Sequence, residues 1–170
     1  LVFGAVELGG NMIATQMGLG FASLVDPQSG AQSPLLSQFY AVLGSLVFLS
    51  MNGHLLLIHF LVQSFTTLPV AVTGADRDLL WTLVAWASHL FGGGVLIALP
   101  AVASLLVVNL AFGVMTRAAP QLNIFTVGFP IGLIFGLLIV VYSLPTLIHQ
   151  LDRLFADAFE LIGPLLRGRG

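Results

Sequence analysis

Polar residues are sparse along this chain, and where they gather they divide it into segments. Residues 1 to about 24 are apolar apart from Glu7, Asn11, Thr15 and Gln16, and predict a helix loosened by Gly4, Gly9, Gly10, Gly18 and Gly20. Glu7, Asn11 and Thr15 recur every fourth position, which sets them on one helical face. A polar stretch then runs from Gln16 to Pro34, broken by Asp26-Pro27 and Ser33-Pro34. Proline lacks a backbone donor and restricts the residue before it, so this stretch reads as a long loop. Ser33 as N-cap and Pro34 at the first helical position predict that a helix starts there.

The apolar run that follows reaches Leu68-Pro69. As one helix it would be roughly 50 Å long at 1.5 Å per residue, against a hydrocarbon core of about 30 Å. A break is expected at Asn52-Gly53. Thr67 to Asp78 is the next polar junction, with Asp76 and Asp78 suited to open a helix near Arg77. Leu79 to Thr116 carries no formal charge but contains Gly92-Gly93-Gly94 and Pro100, so breaks are expected inside it too. Arg117 to Asn123 turns the chain, and a returning run, Ile124 to Gln150, contains Pro130 and Pro145. Asp152 to Gly170 reads as an amphipathic or tail segment. The pattern predicts two hairpin-like units, 1–73 and 74–170, in an all-α membrane protein of broken, kinked helices. Gly128, Gly132 and Gly136 form a small-residue ridge that permits close helix packing.

Composition supports the membrane assignment. The chain is 58% hydrophobic and 7% charged, where a soluble domain carries about 25% charged residues. The net charge is -2 and the arginines are scattered, so no basic patch for nucleic acid exists in the sequence. The absence of cysteine excludes disulfides, thiol catalysis and thiolate metal sites. The chain opens on Leu1-Val2-Phe3 with neither an initiator methionine nor a charged leader, and is expected to be a fragment whose N-terminal part is missing.

Few residues carry site chemistry. His54 and His59 are five apart, about 140° around a helix, and so do not make a metal-binding pair; His54 is expected to cap or hydrogen-bond at the helix break. Asp26 with Ser23, Ser29 or Ser33 lacks both a nucleophile elbow and a positioned base, so the sequence offers no catalytic residue. Gly18-Leu19-Gly20 lacks the third glycine and the preceding strand of a phosphate loop, and no cofactor is expected. Glu7 in an apolar helix is a functional candidate, with a structural pairing as the plainer reading. Met17 and Phe21 border the central loop and are bulky enough to obstruct a narrow passage. If its flanks lie in a membrane, the loop must line a cavity or be buried in protein.

The residues Gln16-Met17-Gly18-Leu19-Gly20-Phe21-Ala22, Val25-Asp26-Pro27-Gln28-Ser29-Gly30, Asn52-Gly53-His54-Leu55, Thr67-Leu68-Pro69, Ala118-Ala119-Pro120-Gln121-Leu122-Asn123-Ile124-Phe125 and Gly128-Phe129-Pro130 resemble, in this order, the FliR family of flagellar type III export-gate proteins. Virulence type III secretion systems contain related subunits; the Val25–Gly30 motif leans to the flagellar branch. The resemblance implies a non-enzymatic subunit of the bacterial inner membrane at the flagellar basal body. One copy would join several FliP-like and FliQ-like subunits, with an FlhB-like neighbour, membrane lipid around them and unfolded export substrates passing through. It further implies a FliP-like part up to residue 73, a FliQ-like part from 74, and a plug formed by the loop at 18–34. Carried over by position, the plug residues are Gly18, Gly20, Phe21, Leu24, Asp26, Pro27, Gln28, Ser29, Gly30 and Gln32. Gly18, Gly20 and Gly30 are expected points of bending. The alternative function is a polar-lined secondary transporter or proton-path subunit, with Glu7, His89 or His149 titrating. A plainer third reading is a structural scaffold without pore contact.

Overall fold

The computed structural model describes residues 1–19, 35–67, 77–118 and 128–167. These form six helices: α1 (Val2–Gln16), α2 (Leu35–Ser50), α3 (Gly53–Thr67), α4 (Arg77–Trp86), α5 (Ser88–Ala118) and α6 (Phe129–Arg167). No strand occurs among the described residues, and the chain is an all-α membrane protein. Two stretches, Leu80–Ala118 and Pro130–Gly163, are long and apolar enough to cross a membrane, and the bent pair α2–α3 makes a third if taken as one span.

The hub is α1. Ala5, Val6, Gly9, Gly10, Ile13 and Ala14 are all buried, so more than one face of this short helix is covered. It packs most extensively on α5 and α2 and also touches α6. Glycine makes that possible. A Cβ on Gly9 would lie 2.8 Å from Ile97 Cγ2 and 3.1 Å from the Gly94 carbonyl oxygen, and one on Gly10 would lie 2.7 Å from Ser37 Cα. Two adjacent small residues therefore bring α1 against the backbones of two different helices.

The expected break at Asn52-Gly53 is present. α2 and α3 meet at 68°. Asn52 adopts φ 57°, a left-handed conformation that asparagine tolerates better than most residues. Gly53 follows because a side chain there would run into the Phe48 ring. The Asn52 carbonyl accepts from the amides of Leu55 and Leu56, at 2.9 and 3.2 Å, which opens α3. Helix α4 begins at Arg77, as the flanking acids predict; Asp76 itself lies outside the described residues, as do Ser33 and Pro34.

Other expected interruptions are absent. α5 continues through Gly92-Gly93-Gly94 and Pro100 for 31 residues, and α6 continues through Pro145 into the segment read as a tail. The actual discontinuity is one residue, Ala87, whose amide is shared between the carbonyls of Leu83 and Val84. Packing accounts for both continuities. Gly93 and Gly94 are buried where α5 meets Leu154 and Leu8, so they serve contact and not flexibility. In α6 the buried positions Gly136, Val140, Leu147, Leu151 and Phe155 keep one stripe facing the core across Gln150 and Asp152. At 39 residues, α6 is about 59 Å long at 1.5 Å per residue.

The core lies where α1, α2, α5 and α6 meet, and includes Val6, Ile13, Tyr40, Ala98, Leu105 and Leu151. Phe3, Phe48 and Phe155 meet at its margin in edge-on and tilted contacts, with ring centroids 5.3–5.7 Å apart.

Candidate functional site

The end of α1 is built to stop a helix and redirect the chain. The Leu19 amide donates to the Ala14 carbonyl and the Gly18 amide to the Thr15 carbonyl, both at 3.0 Å. With Gly18 at φ 82° these two bonds make a Schellman closure, which needs a residue free to adopt a left-handed conformation. Gly18 thus closes α1, which ends at Gln16 and not near residue 24 as the apolar pattern predicts. Beyond it Gly20, Phe21, Leu24, Asp26, Pro27, Gln28, Ser29, Gly30 and Gln32 lie outside the described residues.

Met17, next to this turn, is buried at 4% exposure. Its side chain lies over Gly136 of α6: a Cβ on Gly136 would be 2.5 Å from Met17 Cε and 2.6 Å from Cγ. The root of the loop is therefore packed on the C-terminal helix. Of the three ridge glycines, Gly136 makes this contact, Gly128 is half-buried, and Gly132 has no atom within 4 Å of an added Cβ.

Glu7, Asn11 and Thr15 share a face of α1 turned away from the core: Glu7 and Thr15 are exposed and Asn11 is half-buried. The Thr15 hydroxyl donates to the Asn11 carbonyl at 2.8 Å. His89, exposed at the start of α5, stacks on Trp86 with ring centroids 5.8 Å apart, and His149 is exposed on α6. Among the described residues no hydrogen bond or ion pair joins Glu7, His89 and His149. Nor does any group of three or more His, Asp or Glu there stand ready to hold a metal.

His54 departs from expectation. Its Nδ1 is buried without a hydrogen-bond partner, and the start of α3 is capped instead by the Asn52 carbonyl. Phe48 lies against Gly53 in the angle between α2 and α3.

Residues 1–158 match the bacterial export proteins, family 1. The chain belongs to this family. Relatives named flagellar biosynthetic protein FliR are 38% identical over 164 residues in Escherichia coli K12, 34% over 161 residues in Aquifex aeolicus and 31% over 169 residues in Bacillus subtilis. These alignments take in 96%, 95% and 98% of this chain, and 63%, 62% and 65% of the respective relatives. The chain thus spans just under two thirds of the relatives it matches.

In this export-family chain, sequence reasoning missed the glycines that matter most for packing. Gly9, Gly10 and Gly94 approach backbone, but were read as loosening or breaking their helices. The pairing of the buried Tyr40 hydroxyl with Ser143, which ties α2 to α6, had no signal in the sequence, since the two residues are about a hundred positions apart.

Proposed function

We propose that this chain is part of a non-enzymatic subunit of the flagellar type III protein export gate in the bacterial inner membrane. The observation that carries the proposal is the family match over residues 1–158, joined to relatives that bear the name flagellar biosynthetic protein FliR. The all-α architecture with apolar helices supports a membrane component.

Within that reading, one copy assembles with several FliP-like and FliQ-like subunits and borders an FlhB-like one. Residues 1–73 act as the FliP-like part and 74–170 as the FliQ-like part. The segment 18–34 plugs the closed pore through which unfolded flagellar proteins leave the cytoplasm, using Gly18, Gly20, Phe21, Leu24, Asp26, Pro27, Gln28, Ser29, Gly30 and Gln32. A polar segment stiffened by proline suits a wet lumen, while Phe21 and Leu24 supply apolar area for a seal. Opening moves the segment aside about its glycines, and Gly18, already left-handed, supports a hinge at its root. Energy for export is supplied by other components.

Deleting residues 26–32 in the full-length protein tests this. Ion conductance of the assembled complex, reconstituted in planar bilayers, is expected to rise well above the closed wild-type level. Unchanged conductance in a correctly assembled variant would exclude the plug role.

A further inference from the structure

Helix α3 is held to the rest of the chain by little. It packs on α2 and α6. Among its described residues Gly53 alone is buried, and among those residues the core contains no side chain of α3. An element with so few buried contacts belongs to the least stable part of a structure. Only Met51 and Asn52 separate α3 from α2, and Asn52 has the left-handed backbone. Hinges sit at element-terminal residues of this kind.

One ring spans the bend. Phe159 of α6 lies 6.3 Å from Phe48 of α2, stacked at 25°, and 6.2 Å from Phe60 of α3, tilted at 32°. It therefore touches both arms of the 68° angle from its inner side. Phe155, about one turn earlier on α6, meets Phe3 and Phe48 and, among the described residues, no ring of α3. The bent position also carries a cost. His54 Nδ1, in the first turn of α3, is buried with no hydrogen-bond partner. A buried polar atom left unpaired disfavours the arrangement that buries it.

We propose that α3 is a hinged arm: it turns about Asn52, Phe159 is the latch that holds it against α6, and the unpaired His54 favours release. α6 is fixed at this level by other contacts, Leu154 on Gly93 of α5 and Phe155 on Phe3 of α1, so the latch stays in place when the arm moves. Release swings α3 away from α6 and toward a straight continuation of α2, and returns His54 to polar partners. The core of α1, α2, α5 and α6 is undisturbed, because α3 contributes nothing to it. The proposal stands apart from the export-gate reading, since every contact it uses lies within this chain.

The test is a distance across the bend in the full-length protein, purified in detergent with the subunits it carries. The chain has no cysteine, so Gln38→Cys on α2 and Thr66→Cys on α3 accept spin labels once cysteines elsewhere in the full-length protein are replaced. Both positions are exposed. At 1.5 Å per residue from Asn52, they stand roughly 35 Å apart at the observed bend and roughly 42 Å apart along a straight arm. Double electron–electron resonance is expected to give a narrow distribution for the labelled parent. Phe159→Ala and, independently, Phe60→Ala are expected to broaden it and to lengthen its mean by about 3 Å or more. Phe155→Ala is expected to lower Tm and leave the distance unchanged. His54→Leu, which removes the unpaired atom, is expected to narrow the distribution and raise Tm by about 2–4 °C. An unchanged distribution in Phe60→Ala and Phe159→Ala would overturn the latch, and so would equal broadening in Phe155→Ala. A broader distribution or a lower Tm in His54→Leu would overturn the role given to His54. Should Phe159→Ala fail to fold, Phe60→Ala decides, because Phe60 is half-buried and outside the core.

Discussion

Replacing Gly10 with alanine adds one methyl group at the closest approach of α1 and α2. The new Cβ would lie 2.7 Å from Ser37 Cα, 3.2 Å from the Leu36 carbonyl oxygen and 3.2 Å from Ser37 Cβ. Ordinary contact begins near 3.4 Å, so the two helices must separate by about 0.7 Å. The obstacle is backbone, and no rotamer change removes it. Overpacking of this kind costs about 1–3 kcal/mol, and the better helix propensity of alanine returns about 0.5–1 kcal/mol. The net effect is a destabilisation of about 1–2 kcal/mol. Gly92 is the control: nothing lies within 4 Å of a Cβ there, so Gly92→Ala keeps the propensity gain alone. For a chain of this size each kcal/mol moves Tm by about 2–4 °C. Tryptophan fluorescence melting of the detergent-solubilised protein should place Gly10→Ala several degrees below wild type and Gly92→Ala slightly above. If Gly10→Ala melts at or above Gly92→Ala, the close approach of α1 to α2 is wrong.

Three further outcomes follow from particular contacts. Gly136→Ala should lower Tm by crowding Met17, and Met17→Ala in the same chain should recover part of the loss, a non-additivity of about 0.5 kcal/mol or more in a double-mutant cycle. Tyr40→Phe should cost about 1 kcal/mol through the Ser143 hydrogen bond, and the same change in a Ser143→Ala background should cost less; equal costs would deny the pairing. Asn52→Ala should destabilise by about 1 kcal/mol because of the left-handed backbone, while Asn52→Gly is neutral or stabilising in the same melting assay.

What could be read from the sequence depended on where a residue's effect is decided. At Asn52-Gly53 the effect is local: asparagine tolerates the left-handed region and glycine clears the Phe48 ring, so the bend was legible. The end of α1 at Gly18 is equally local, although the apolar pattern ran the helix on to about residue 24. Gly92-Gly93-Gly94 and Pro100 misled because helix breaking is only a tendency of the isolated segment. Where Gly93 and Gly94 fit against Leu154, Leu8 and Ala5, burial on a neighbouring helix outweighs about 1 kcal/mol of propensity per glycine. The continuation of α6 past Gln150 has the same origin, since Leu151 and Phe155 remain on the core stripe although charged residues appear around them. The Met17–Gly136 and Tyr40–Ser143 contacts depend on tertiary placement, and no spacing in the sequence encodes them.

For the candidate site, motif order reached further than residue chemistry. The segments from Gln16 to Pro130 identified the family that residues 1–158 match, while Glu7, His54, His89 and His149 come together in no cluster.

Native mass spectrometry of the complex that co-purifies with the tagged full-length protein in detergent tests the export-gate assignment most directly. The predicted result is a discrete particle holding one copy of this chain's protein with several copies of FliP-like and FliQ-like subunits. A monomer or homo-oligomer, recovered while those subunits are expressed but absent from the particle, would contradict it.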